Sequence, residues 1–365
     1  MPLLRMACTK TGTTRIPERS MSNKGLLFIG DPHLSSRRPG RRTDADFAGT
    51  VLGKLDQALI LAREQEWVPV VLGDLFDRGD DNSLSMLTRL LRLLRTHREQ
   101  GGEIPLCLVG NHDLRDTDLA DDTAMGLLRE TSWIRILETK HDPEPVTIEG
   151  VVHLLPVSYG KSRDALSSIA KSLKAKDRLP VIALTHEDFD FQGAYPGASI
   201  MEEIPGVDMV VNGHMHKPAP WVKRGKTLWC NPGNITRMSI DCEGYPPSVW
   251  SWTPDMGTTK GLNQHVLVHQ SVVFDRTGLR VAANEGALRE AIGEALDAGA
   301  EQALQQSERE AGSDFAALLK NQQFGTVTED AGILREELDA VLREQRTDDV
   351  TAGILLSLLQ GIAGG

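Results

Sequence analysis

A chain of 365 residues that is 40% hydrophobic and 25% charged has an ordinary globular composition, long enough for one large domain and a smaller one. Its net charge of −11 excludes a protein that coats nucleic acid through bulk electrostatics, while leaving room for a local basic groove. Cys8, Cys107, Cys230 and Cys242 show no C-x-x-C spacing, which predicts free thiols and a reducing, cytoplasmic setting.

Residues 1–22 carry Arg5, Lys10 and Arg15 without a continuous apolar stretch, so they read as a disordered extension and not as a secretory signal. The first apolar run, at 26–30, has the length of a strand and delivers Asp31 and His33. A loop broken by proline and glycine follows, with Arg37, Arg38, Arg41 and Arg42 hanging off that strand end. They are candidates to grip phosphate bidentately, against the alternative of a solvated loop. Apolar residues at helical spacing then predict a helix over 44–66.

The run at 70–73 ends in Asp74, and a helix over 83–98 succeeds it, with His97 on its polar face. Taken alone, Asp74 would read as a helix cap. The pattern recurs, however. The run at 106–110 delivers Asn111, His112 and Asp113, the run at 180–185 delivers His186, and the run at 207–213 delivers His214 and His216. Strand ends that repeatedly emit His, Asp or Asn point to one cavity at the carboxyl edge of a parallel sheet, where open α/β sheets bind ligands. Imidazole nitrogen together with carboxylate and amide oxygen suits Mn, Fe or Zn, whereas Mg or Ca would call for oxygen alone. In Asp31-x-His33 and His214-x-His216 the paired residues share a face if the strand continues through them.

Between these runs, 114–129 reads as a helix, 146–157 as strand, and 162–176 as helix. His153 lies mid-strand, where a structural role outweighs ligation. Residues 227–230, 250–252 and 265–269 read as strands of a second sheet. No dinucleotide fingerprint, Walker loop, H-E-x-x-H pair or G-x-S-x-G elbow is present.

The segments Gly30-Asp31-Pro32-His33, Gly73-Asp74-Leu75-Phe76-Asp77-Arg78, Gly110-Asn111-His112-Asp113, Thr185-His186 and Gly213-His214-Met215-His216 occur in that order. Together they resemble the signatures of the calcineurin-like binuclear metallophosphoesterases, over about residues 25–235. Within that superfamily, His214-Met215-His216-Lys217-Pro218 and the later Asn231-Pro232-Gly233-Asn234 turn are most similar to the SbcD-type DNA repair nucleases; Asn234 stands where that family's turn has serine.

The resemblance implies an α/β fold, a layered α-β-β-α sandwich with a C-terminal helical extension. It divides the chain into the extension at 1–22, a catalytic domain at 23–274 and a helical region at 275–365. It also implies two divalent metal ions, Mn first, with Fe or Zn as alternatives. Asp74 would bridge them, Asp31, His33 and His216 would complete one site, and Asn111, His186 and His214 the other. Solvent held by the pair would attack phosphorus, His112 would protonate the leaving oxygen, and Asp113 would orient or charge its ring.

By the same resemblance the substrate is DNA and the molecule a homodimer. Its C-terminal helices, with apolar stripes over 285–311, 334–342 and 354–362, would hold an SbcC-type ATPase. The alternative is that they fold back on their own core. The uncharged tail at 350–365 falls short of the ~20 residues a bilayer span needs, so no membrane partner is expected. Two rival functions stay open: a phosphatase or cyclic-nucleotide phosphodiesterase using the same metals, and a metal-occupied scaffold that chiefly binds partners.

Overall fold

A computed structural model of the chain describes residues 24–275, apart from 116, 118, 192–197, 257–260 and 271–273. The expected N-terminal extension and the helices expected beyond 275 lie outside the described residues. The first half alternates β1 (Leu26–Ile29), α1 (Phe47–Glu64), β2 (Val68–Val71), α2 (Leu84–Glu99), β3 (Leu106–Leu108), α3 (Ala124–Arg129) and β4 (Arg135–Leu137). The second comprises β5 (Val146–Ile148), β6 (Val152–Val157), α4 (Leu166–Lys176), β7 (Val181–His186), β8 (Met209–Gly213), β9 (Ala219–Arg224), β10 (Thr227–Asn231), β11 (Ser248–Trp252) and β12 (Asn263–Val266).

These strands form two six-stranded sheets, ordered β12-β11-β1-β2-β3-β4 and β5-β6-β7-β8-β10-β9. The pairs from β1 through β4 are parallel, as are those from β6 through β7 and β8 to β10. Period-two alternation along fully buried strands sorts the side chains into layers. Leu26, Phe28, Ile182 and Leu184 share the core between the sheets. Leu27 and Ile29 turn out toward α1 and α2, while Val181 and Ala183 turn out toward α4. The result is the α-β-β-α sandwich expected of the sequence.

Helix starts follow local chemistry. Asp46 accepts the Gly49 amide at 2.8 Å before α1, and Ser83 accepts that of Met86 at 3.2 Å before α2. The helix expected over 114–129 is shorter, because Thr123 caps it by accepting the Gly126 amide at 3.0 Å and α3 begins only at Ala124. His97, read as a surface residue, is instead buried in the last turn of α2, with Nε2 2.9 Å from the Glu103 carbonyl oxygen. Residues 250–252 and 263–266 do not join 227–231 in a second sheet. β11 runs antiparallel to β1, with Leu26 opposite Trp252, and covers an edge that β1 would otherwise expose. His153 is held between Thr147 Oγ1 at 2.8 Å and Asp177 Oδ1 at 2.9 Å, a structural arrangement.

Candidate metal centre

The carboxyl ends of β1, β2 and β3 in one sheet meet those of β7 and β8 in the other, and the side chains released there converge. Asp74 Oδ2 lies 3.1 Å from His186 Nε2 and 3.6 Å from His33 Nε2. Asn111 Oδ1 stands 3.1 Å from both His186 Nε2 and His214 Nδ1. Asp31 Oδ1 accepts the His214 amide at 3.0 Å, and the Nε2 atoms of His33 and His216 face one another at 2.9 Å. Every ligand expected from the sequence is therefore in one cluster.

Among the described residues, two sets of donors lie close enough to hold an ion: Asp74 with His33 and His112, and Asp74 with His186 and His214. Asp74 belongs to both, the position a bridging carboxylate requires. His112, expected to stay clear of any ion, also comes within ligand distance of His33 and Asp74.

The backbone is bent to achieve this. Among the described residues, the non-glycine positions with positive φ are Asp31, His33, Glu66, Asp74, His214 and Arg237, most of them in this cluster. Such conformations cost of order 1–3 kcal/mol each and persist where the surroundings over-determine them. Packing leaves no room for a side chain beside them: a Cβ on Gly110 would sit 2.2 Å from Asp74 Oδ1, and one on Gly73 2.4 Å from His186 Nδ1.

The donor set fits a metal pair. Asp31 Oδ2 and Asp74 Oδ2 are buried with no hydrogen-bond donor, although His186 Nε2 is 3.1 Å from the latter. Lone pairs aimed at a common space without a shared hydrogen are what cations satisfy. Electrostatics agree. Burial opposes ionisation of Asp74, yet His186 and His33 hold its carboxyl far below the usual range. Against the same burial penalty, the Asp74 charge raises His186 to about 9. Desolvation and the facing His33 push His216 down to about 3, as expected where two imidazole nitrogens meet and only one can carry the hydrogen.

His112 is exposed at the mouth, its Nδ1 2.7 Å from the Asp77 carbonyl oxygen. Asp113 does not orient it, contrary to expectation: its carboxylate is buried and accepts the amides of Phe76 at 3.1 Å and Gly110 at 3.0 Å. Burial and the Asp74 charge raise Asp113 to about 7.

In the arginine loop, Arg42 differs from expectation. Arg42 is 1% exposed, pairs with Asp44 at 2.7 Å, and donates to the Thr236 and Arg237 carbonyls, so it cannot hold substrate. Arg37 pairs with Asp81 at 2.9 Å, Arg38 donates to the Asp44 carbonyl at 3.2 Å, and Arg41 is half-buried.

Three contributors were not singled out from the sequence. Asp77 fixes His112 through its carbonyl and places a carboxylate oxygen 3.5 Å from His33 Nδ1; its membership of the Gly-Asp-Leu-Phe-Asp-Arg segment was the available signal. Asn212 accepts the Thr185 hydroxyl at 2.8 Å and the Glu187 amide at 3.1 Å, bracketing His186. Tyr159, 38% exposed, sets its ring 5.6 Å from that of His214 at the rim, and nothing in its neighbours along the chain marks it.

The family model for calcineurin-like phosphoesterases matches residues 25–218, more than half of the chain. The chain belongs to this family of metal-dependent phosphoester hydrolases, which use a pair of divalent ions. A comparison with curated proteins gave no match.

Among solved structures, an archaeal phosphodiesterase is 15% identical, with 67% of this chain and 99% of that one covered and a TM-score of 0.34. A 5'-nucleotidase precursor from Thermus thermophilus is 13% identical, covering 72% of this chain and 59% of that one, with a TM-score of 0.41. The calcineurin-like phosphoesterase YfkN from Bacillus subtilis is 13% identical, covering 62% and 83%, with a TM-score of 0.37. Among the described residues no helix is long and apolar enough to cross a membrane.

Proposed function

We infer that this chain is a manganese-dependent phosphodiesterase that cleaves DNA, similar to the SbcD-type nucleases. The observation that carries the hydrolytic chemistry is Asp74 shared between two donor sets, one of which includes the exposed His112. The DNA assignment is supported by the His214-Met215-His216-Lys217-Pro218 segment and the Asn231-Pro232-Gly233-Asn234 turn. In the structure these two pieces are joined, with Asn231 Nδ2 donating to the Met215 and Lys217 carbonyls and the Asn234 amide to that of His216.

Asp31, His33, Asp74, Asn111, His186, His214 and His216 would hold the ions, which when bound supply Lewis-acid activation of water and of the phosphoryl oxygens. The chain itself does the rest. The Asp77 carbonyl takes the Nδ1 hydrogen of His112, so Nε2 is the atom that exchanges a proton with the leaving oxygen. Residues 23–274 would form the catalytic unit, acting in the cytoplasm, with 275–365 engaging an SbcC-type ATPase or a second copy.

The test is purified protein with Mn, offered end-labelled single- and double-stranded DNA, a phosphodiester and a phosphomonoester. DNA degradation that disappears in Asp74→Asn together with bound metal supports the nuclease. Monoester turnover without DNA cleavage would replace it by a phosphatase.

A further inference from the structure

Beyond the metal centre, the most distinctive surface among the described residues is the outer edge of the second sheet. Among the described residues β9 is its last strand and pairs only with β10, and it starts three residues after His216. Along it and the turn that follows, Lys223, Arg224 and Lys226 are all exposed, with no ion pair among the described residues. An opposing charge, Glu203, packs its side chain against Gly225. In a chain of net charge −11, this concentration of cations is a local reversal of sign.

Trp221 lies on the same strand, two residues from Lys223, and the two side chains therefore share a face, while Arg224 alternates to the other one. The residue is 45% exposed, a large apolar side chain partly open to solvent. The ring is also fixed in place: Trp250 meets it edge-on at 6.2 Å, and the backbone at Gly261 lies so close that a Cβ there would be 2.5 Å from it. Trp250 in turn donates its indole hydrogen to the Pro232 carbonyl at 3.1 Å, in the turn that braces His216. A rigid aromatic face beside unpaired cations is the pattern by which proteins hold single-stranded nucleic acid, bases stacking while phosphates are neutralised.

Resting on the nuclease reading, we propose that this edge is a platform for single-stranded DNA, receiving the strand that runs from the metal centre. Trp221 is five residues from His216, within about 18 Å along even a fully extended chain, so a few nucleotides span the gap. The platform acts on polymers alone. A small diester occupies the metal centre without reaching it.

The experiment uses the full chain and a fluorescein-labelled oligothymidylate, read by anisotropy in EDTA and by cleavage in Mn. Trp221→Ala should weaken binding on the order of tenfold, and Trp221→Phe should restore most of it. Replacing Lys223 and Lys226 by serine should lower the slope of log K against log salt by about 1.4. Hydrolysis of bis(4-nitrophenyl) phosphate should be unchanged in all of these variants. Wild-type binding and salt dependence in these variants would overturn the platform while leaving the nuclease intact, and so would a parallel loss of small-diester turnover. A wild-type protein that hydrolyses the small diester but neither binds nor cuts DNA would remove both.

Discussion

Asp113 Oδ1 accepts the backbone amide of Phe76 at 3.1 Å, tying the loop that carries His112 to the loop that carries Asp74. The other oxygen closes on Gly110 at 3.0 Å, so the carboxylate acts as a pin between strand ends and makes no use of the imidazole next to it in sequence. Asp113→Ala would strand two buried amides, each costing about 1–3 kcal/mol. Urea unfolding should show a loss of about 2–6 kcal/mol. A variant as stable as the parent would mean that the pin holds nothing.

For His112 the expected outcome is the opposite, because its side chain is exposed and carries chemistry and not packing. His112→Ala should keep its melting temperature and lose activity by about 10²- to 10⁴-fold on a substrate with a poor leaving group. On a nitrophenyl ester, which leaves without help, the loss should shrink. Equal losses on both substrates would assign His112 to metal binding, which its distance from His33 and Asp74 also permits.

Arg42 and Arg37 stand five residues apart in one loop and should behave differently. Arg42→Met leaves Asp44 buried without its partner and frees two carbonyls, a change that typically costs about 3–5 kcal/mol. Arg37→Ala breaks only an exposed pair with Asp81 and should alter stability by less than about 1 kcal/mol. Denaturant midpoints of the two variants decide it.

Lys54 supplies a pH dependence away from the metal centre. It reaches from α1 to donate to the Ile235 carbonyl at 2.8 Å, and burial, with Arg42 and Arg237 nearby, lowers it from 10.5 to about 7. Between those values the unfolded chain holds a proton that the folded one has released, so stability from this group rises with pH across the window. The penalty is full below about 7 and gone by about 10.5. Unfolding free energies measured from about pH 7 to 9 should climb relative to Lys54→Met by up to about 1.4 kcal/mol per pH unit. A constant difference between the two proteins would show that Lys54 keeps its charge on folding.

Much of the centre was legible because a ligand must stand just past the end of a buried strand, and an apolar run closed by glycine and then Asp, Asn or His records that directly. The layered fold was legible for the same reason, since fully buried strands alternate with amphipathic helices. What escaped was non-local or main-chain in character. The carbonyl that fixes His112 belongs to Asp77 by backbone and not by side chain. Tyr159 enters the rim only because β6 neighbours β7. Nor does a strand's sequence say which sheet it joins, so β11 was assigned to the wrong one. The role of Arg42 was readable in part, because an aspartate two positions on is a natural partner for a buried guanidinium.

Asp31, His33, Asp74 and Asn111 rise from one half of the sandwich, His186, His214 and His216 from the other. Whatever draws these side chains together therefore also fastens the two halves along one seam. Catalysis and cohesion share a clasp: opened by a chelator, it should leave a looser protein as well as an idle one.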